Sequence, residues 1–232
     1  MPSDSVSRLL WGAYLFLWLG GVGSHLLTGG TSANMAWAAP VFLALAALIA
    51  IRSDWPRWRT VALAAGLGFA AEAIGLASGY PFGGYTYTPV LAPALLGVPV
   101  VVAGAWMILF VYVRQMQMAL WASALAMTAL DLVIDPLAAS FLGFWKWQAV
   151  GPYYGVPLIN FAGWFAVSLL IFALAPKHTA LNRQAVWLGT SILLFFTALA
   201  AIHHYFFPAF LGAVLSGLGY ARSMRSIAST MI

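Results

Sequence analysis

The chain has 232 residues, of which 63% are hydrophobic and only 6% charged, with a formal net charge of +5. Soluble domains carry about 25% charged residues, so an ordinary soluble domain is excluded. The basic residues are scattered between apolar runs rather than gathered in a stripe, which argues against nucleic acid as a partner. With no cysteine in the chain, disulfides, thiolate metal sites and cysteine nucleophiles are excluded too. This length holds roughly six to eight spanning helices of about 20 residues each. The expected fold class is all-α: one polytopic integral membrane helix bundle, residues 1–232, with seven to eight transmembrane helices.

Taken in chain order, the first apolar run is about Leu9–Leu27. No small-residue cleavage site closes it, so it is expected to be a retained helix rather than a signal peptide. The second, about Met35–Ile51, is ended by the polar residues 52–59, and the third is about Thr60–Ser78. A loop rich in Gly, Pro and Tyr follows over residues 79–97. The fourth run is about Val98–Val113 and the fifth about Met118–Asp135, followed by a second aromatic loop over 136–155. The sixth is about Val156–Ala175 and the seventh about Ala185–His203. The tail from Phe206 to Tyr220 is apolar but interrupted by Pro208 and several glycines, and reads as either an eighth helix or an interfacial one.

Basic residues orient such a bundle. With the N-terminus cytoplasmic, Arg8, Arg52, Arg57, Arg59, Arg114, Lys177 and Arg183 all fall on the cytoplasmic side, and only Lys146 falls outside. Arg222 and Arg225 join the cytoplasmic set if the tail crosses back, which favours an eighth helix. The expected location is the cytoplasmic membrane, with both aromatic loops on its outer side.

An internal repeat is visible. Gly97-Val98-Pro99 is followed by Trp106, and Gly155-Val156-Pro157 by Trp164, each tryptophan seven residues after its proline. Proline suits a first helical turn, where its missing N–H is harmless and its φ is preset. Each motif ends an aromatic loop that follows an acid-bearing run. The third and fourth helices therefore resemble the fifth and sixth in parallel orientation, and a real repeat would bring the acids of both halves to one centre. Chance and common helix punctuation are the lesser alternative.

Three of the five acidic residues, Glu72, Asp131 and Asp135, lie within apolar runs. An ionisable group in hydrocarbon costs several kcal/mol or more, so its presence is a functional hypothesis by default. Asp131 and Asp135 are four apart and share a helix face. Two carboxyls that close, where water is scarce, cannot both carry charge easily, so one is expected to hold a proton, as a general acid must. Glu72 lies about 13 residues into its run and Asp131 about 14, so their depths match. The structural alternative is hydrogen bonding across helices, or pairing with Arg114 or Lys146. Residues 60–175 form the expected core with the acid and aromatic site.

The two loops concentrate rings, including Tyr80, Phe82, Tyr85 and Tyr87 in the first and Trp145, Trp147, Tyr153 and Tyr154 in the second. An interfacial belt accounts for part of this, but not for the scarcity of rings in the cytoplasmic loops. An aromatic cleft suits a long apolar ligand, and ring faces stabilise a transient cation. Asn160, four residues before Trp164, either orients a carboxyl or a water, or bonds a neighbouring helix. His25, His203 and His204 sit near run ends and read as interfacial. Four histidines cannot form the boxes of a di-iron oxygenase; H-E-x-x-H, a nucleophile elbow and a P-loop are absent, and no lysine lies mid-span. No metal or cofactor is expected, leaving carboxylates, rings and water.

At these residues the chain resembles the membrane carotenoid biosynthesis family. That family contains carotenoid hydratases acting on acyclic end groups of γ-carotene or lycopene and of bacterioruberin precursors. The matching blocks are Glu72-Ala73-Ile74-Gly75 through Tyr87, Leu96-Gly97-Val98-Pro99, Asp131 to Pro136, Gly143-Phe144-Trp145, and Tyr153 to Pro157 through Asn160 and Trp164. The resemblance covers roughly Thr60 to Ala175. It implies a carotenoid substrate within the lipid bilayer, water as co-substrate, no cofactor, and other carotenoid biosynthesis enzymes as candidate partners. It implies further a hydro-lyase in which the Asp131 and Asp135 pair protonates a terminal C=C to a tertiary carbocation. Glu72 would take a proton from the attacking water, and these roles are exchangeable. Tyr80, Phe82, Tyr85, Tyr87, Trp106, Trp145, Trp147, Tyr153, Tyr154, Asn160 and Trp164 would line the substrate's path. A proton-coupled carrier of a lipophilic or small solute, a non-catalytic carotenoid-binding protein, and an isomerase or cyclase using the same acid and rings are the competing readings.

Overall fold

The computed structural model describes residues 4–176 and 182–229. Eight α-helices carry the fold: α1 Asp4–Thr28, α2 Ala38–Ser53, α3 Trp58–Ser78, α4 Val100–Gln115, α5 Leu120–Ser140, α6 Leu158–Leu174, α7 Arg183–Ile202 and α8 Phe206–Ser229. Helical segments at Ser5–Thr28, Trp55–Ser78, Leu120–Ser140 and Arg183–Ile202 are long and apolar enough to cross a membrane, and α2, α4 and α6 are shorter apolar helices of 16, 16 and 17 residues. The result is the expected all-α bundle. The central elements are α7, which packs against α1, α2, α4, α5 and α8, and α4, which packs against α2, α3, α5, α7 and α8.

The tail forms a helix despite its proline and glycines. Pro208 falls in the first turn of α8, where an absent N–H leaves no bond unmade. Two of the glycines are sites of close approach. A Cβ at Gly212 would stand 2.2 Å from the Thr197 hydroxyl of α7, and one at Gly219 would stand 2.3 Å from the Tyr112 hydroxyl of α4. The glycines that seemed to interrupt the run are what let α8 lie against its neighbours.

One end of the bundle gathers the basic residues. Arg114, in the last turn of α4, reaches Asp54 at 3.5 Å, and Arg57 binds the same carboxylate at 2.7 Å. Asn182 caps α7 by accepting from the Gln184 N–H, and its own amide donates to the Ser53 carbonyl at the end of α2. Arg222 of α8 donates to the Met116 carbonyl just beyond α4. Asp54, expected in a polar segment, is thus buried and paired. Lys177, one of the basic residues expected at this end, lies outside the described residues.

At the opposite end, the loops contain four short strands that sequence patterning left as irregular: β1 Tyr85–Tyr87, β2 Ala94–Leu95, β3 Val98–Pro99 and β4 Trp145–Trp147. β2 and β3 form a hairpin pairing Leu95 with Val98, and its two turn residues, Leu96 and Gly97, both have positive φ (53° and 81°). Positive φ at both central residues is the pattern of a type I′ turn, which matches the twist of paired strands. The second half repeats this 58 residues later. Tyr153 bridges Val156, and Tyr154 and Gly155 have φ of 48° and 87°. Pro99 and Pro157 then occupy the N-cap positions of α4 and α6. The halves meet where β1 pairs antiparallel with β4, Tyr85 opposite Trp147 and Tyr87 opposite Trp145. The Trp106 and Trp164 rings stack beneath them, with centroids 3.9 Å apart and planes 13° from parallel. The repeated motifs thus fold alike and contact one another.

The fifth helix runs further than the sequence suggests. Pro136 does not end it; α5 continues to Ser140 with the proline inside. A proline at 136 deprives the Leu132 carbonyl, one turn earlier, of its usual N–H partner. The Tyr153 hydroxyl donates to that carbonyl at 2.9 Å. Tyr153→Phe is therefore expected to lower the thermal unfolding temperature in detergent, at a cost of about 1–3 kcal/mol for the orphaned acceptor. Pro136→Ala restores an N–H at the right place, so the double variant is expected to recover part of that loss.

Candidate active site

α3 ends on Gly79, in the left-handed conformation with its N–H bonded to the Gly75 carbonyl at 2.8 Å. The chain then turns back so that β1 lies over the C-terminal part of α3. This brings two phenols onto Glu72, which is 6% exposed. Both Tyr85 and Tyr87 donate to Oε2, the latter at 2.9 Å, and the Trp106 indole N–H donates to Oε1 at 3.0 Å. Burial and then the neighbouring Glu72 push both phenols well above their usual range, so at neutral pH they stay protonated and act as donors. Trp106 can lie flat against α3 because residue 68 is glycine; a Cβ there would come within 2.2 Å of the indole.

The second half holds its acids in a corresponding way. β4 sets its two indoles over Asp135, with Trp145 and Trp147 donating to Oδ1 at 3.0 and 3.3 Å. Asn160, in the first turn of α6, donates its amide to Asp131 Oδ2 and to Asp135 Oδ2, each at 2.7 Å. Asp131, Asp135 and Asn160 are 2%, 1% and 2% exposed. The side-chain amide therefore links the two carboxyls from a neighbouring helix, and α5 and α6 are clamped there. Among the described residues no salt bridge reaches Glu72, Asp131 or Asp135, so none of the three acids has a cationic partner. Arg114 pairs with Asp54 instead, and Lys146 is exposed on the ribbon opposite Thr86. Among the described residues no three acid or histidine side chains converge closely enough to hold a metal ion.

Glu72 and Asp131 line one cavity of about 80 Å³. Tyr87, Trp106, Trp145 and Trp164 add aromatic walls, and Leu43, Leu91, Val102, Ile192, Phe144 and Phe196 close it with apolar surface. At roughly 10–15 Å³ per water, the space takes several waters or a small apolar group. Asp135 stands behind Asp131, touching the shared amide and the two indoles.

The aromatic residues singled out from the sequence divide accordingly. Tyr87, Trp106, Trp145 and Trp164 wall the cavity, and the first three also donate to the acids; Tyr85 and Trp147 donate to the acids from outside the wall. Phe82 is buried beside Trp106, with ring centroids 6.2 Å apart. Tyr153 and Tyr154 stand elsewhere, the first on Leu132 and the second against Tyr205, and Tyr80 is 68% exposed. The apolar wall drawn from α2, α4 and α7 carries no chemical motif, and only hydrophobicity could have flagged it. His25, expected at the interface, is buried and bonds His203 at 2.8 Å, with Phe141 stacked on the latter.

Residues 33–220 match the family model described as carotenoid biosynthesis protein. The chain is 30% identical over 132 residues to the bisanhydrobacterioruberin hydratase of Haloarcula japonica, and the aligned segment covers 50% of this chain and 44% of that relative. The chain thus spans less than half the length of the relative it matches. No solved structure matches it.

Asn160 is the one side chain bonded to both aspartates, so its loss is expected to be felt twice. Asn160→Leu, similar in volume, leaves two buried carboxyls without that donor at about 1–3 kcal/mol each. Thermal unfolding of the purified variant measures the cost, and it is expected to exceed that of Tyr153→Phe, which orphans one acceptor.

Proposed function

Since this chain belongs to the carotenoid biosynthesis protein family, we propose that it is a hydratase adding water across the terminal C=C of an acyclic carotenoid end group, with no cofactor. The observation that carries this reading is that Glu72 and Asp131 line a single ring-walled apolar cavity and neither is neutralised by a cation.

The reaction follows from what each group can do. The Asp131 and Asp135 pair holds one proton between two adjacent carboxyls. Asp131 reaches the cavity and delivers that proton to the terminal alkene, whose π electrons form the new C–H bond. The tertiary carbocation left on the neighbouring carbon lies among the faces of Tyr87, Trp106, Trp145 and Trp164, whose quadrupoles favour positive charge. Water supplies a lone pair to form the C–O bond. The proton it sheds passes to Glu72, and return through the carboxyls resets the pair. The donors Tyr85, Tyr87, Trp106 and Asn160 hold each carboxyl in place throughout, as preorganised polar groups do in a site with little water. The protein is proposed to sit in the cytoplasmic membrane with its N-terminus and its basic end cytoplasmic, so that the acids lie toward the outer leaflet. The half-length alignment with a protein named as a hydratase supports the reaction class.

Expression in a host making lycopene or γ-carotene tests this, with pigments read by mass spectrometry. Wild type is expected to add 18 Da, and growth in ¹⁸O-labelled water to raise the gain to 20 Da. Asp131→Asn is expected to lower product by at least about 100-fold, the usual scale of a lost general acid. A gain of 16 Da would mean oxygenation. Pigment bound but unchanged in mass would mean a carotenoid-binding protein, and proton-gradient-driven uptake into liposomes would mean a carrier; each result would displace the hydratase reading.

A further inference from the structure

The cavity at the acids is far too small for the body of a carotenoid. A second cavity of about 300 Å³ adjoins it, bounded by α1, α2, α7 and the end of α5. The two share Leu43, Phe144 and Phe196, so these three side chains form a common wall and constriction. Elsewhere the second cavity is lined by the rings of Phe16, Phe42, Phe141 and Phe195 and by the bare backbone of Gly20 and Gly21. Of its polar residues, Ser24, His25 and Thr31 are bonded within the protein. Ser24 donates to the Gly30 carbonyl at 2.6 Å, and the ring nitrogens of His25 face His203 at 2.8 Å and Thr31 at 3.5 Å. Such a surface suits a hydrocarbon and offers little to water or to a polar solute. The α1 side lies at the periphery: only 11% of the spanning stretch of α1 is buried, against 61% for α7, and Phe16 is 73% exposed.

We propose that this second cavity seats the polyene chain of the substrate. The chain enters from the bilayer beside α1, and its terminal alkene passes Leu43, Phe144 and Phe196 to reach Asp131 and Glu72. The inference rests on the hydratase reading and adds the residues that select a long acyclic polyene over a short alkene. Gly20 is then a specificity position, because it leaves open the room that the chain occupies.

Gly20 also supplies the test. A Cβ there has nothing within 4 Å, and the same holds at Gly12, on the same helix but not on the cavity. Gly20→Phe, Gly20→Leu and Gly12→Phe are reconstituted beside wild type in lipid vesicles. Each is given lycopene and, separately, a short acyclic isoprenoid with the same terminal alkene, in ¹⁸O-labelled water. The ratio of polyene to short-alkene hydration is expected to fall about tenfold in Gly20→Phe, less in Gly20→Leu, and not in Gly12→Phe. An unchanged ratio in both Gly20 variants, or an equal fall in Gly12→Phe, overturns the assignment while leaving the hydratase reading intact. If wild type hydrates neither substrate, the hydratase reading fails. Polyene absorbance retained by purified wild type and Gly12→Phe but lost from Gly20→Phe then supports the seat, and retention by all three overturns it.

Discussion

Three carboxyl groups are buried toward the loop end of this bundle with no cationic partner among the described residues, and the architecture around them is organised by how their oxygens are satisfied. The donors are neutral: two phenols and an indole on Glu72, two indoles on Asp135, and one amide shared by Asp131 and Asp135. A buried charge pair loses much of its attraction to desolvation and freezes both partners. Neutral donors fix the position of a carboxyl without forming an ion pair that would tie up its proton. The proposed proton transfer to a hydrocarbon needs that freedom, and the aromatic loops deliver those donors. Tyr87, Trp106 and Trp145 therefore do two jobs at once, donating to an acid and walling the cavity, while Tyr85 and Trp147 only donate and Trp164 only walls.

The delivery depends on backbone pairing in a place where unpaired backbone is costly. Loops at the level of the acids must satisfy their own N–H and C=O groups or be shielded by protein. The β1–β4 ribbon and the two I′ hairpins do this, and the ribbon register sets which ring reaches which acid. Tyr85 and Tyr87 alternate with Thr86, and Trp145 and Trp147 alternate with Lys146, so in each strand both rings share the face turned to the acids and the middle residue turns out. A one-residue slip would reverse that.

Much of this was legible in the sequence because it rests on residue type against a uniform background. Acids in apolar runs, paired GVP motifs and ring-dense loops stand out from a chain with 6% charge, and the helix order follows from hydropathy. The repeat was visible through Pro99, Pro157, Trp106 and Trp164, and the shared turn geometry at Leu96-Gly97 and Tyr154-Gly155 extends it. Other features depend on partners distant in the chain. Pro136 looked like a stop because its compensation comes from Tyr153, 17 residues on. Gly212 and Gly219 looked like breaks because the atoms that need their bareness belong to α7 and α4. His25 looked interfacial because His203 lies 178 residues away. Leu43, Ile192 and Phe196 could not be distinguished from any other bilayer-facing apolar residue until α2 and α7 were placed beside the acids.

The register between β1 and β4 has one more implication. The repeat's shift of 58 residues carries Tyr87 onto Trp145, its partner across the ribbon, so the strands meet counterpart to counterpart there. Trp106 likewise stacks on its own counterpart. These are the contacts that two identical subunits make around a dyad. The ribbon and the indole stack thus form a pseudo-two-fold seam within one polypeptide. The two sides of that seam are not alike: one sets a glutamate under two phenols, the other a pair of aspartates with two indoles over Asp135.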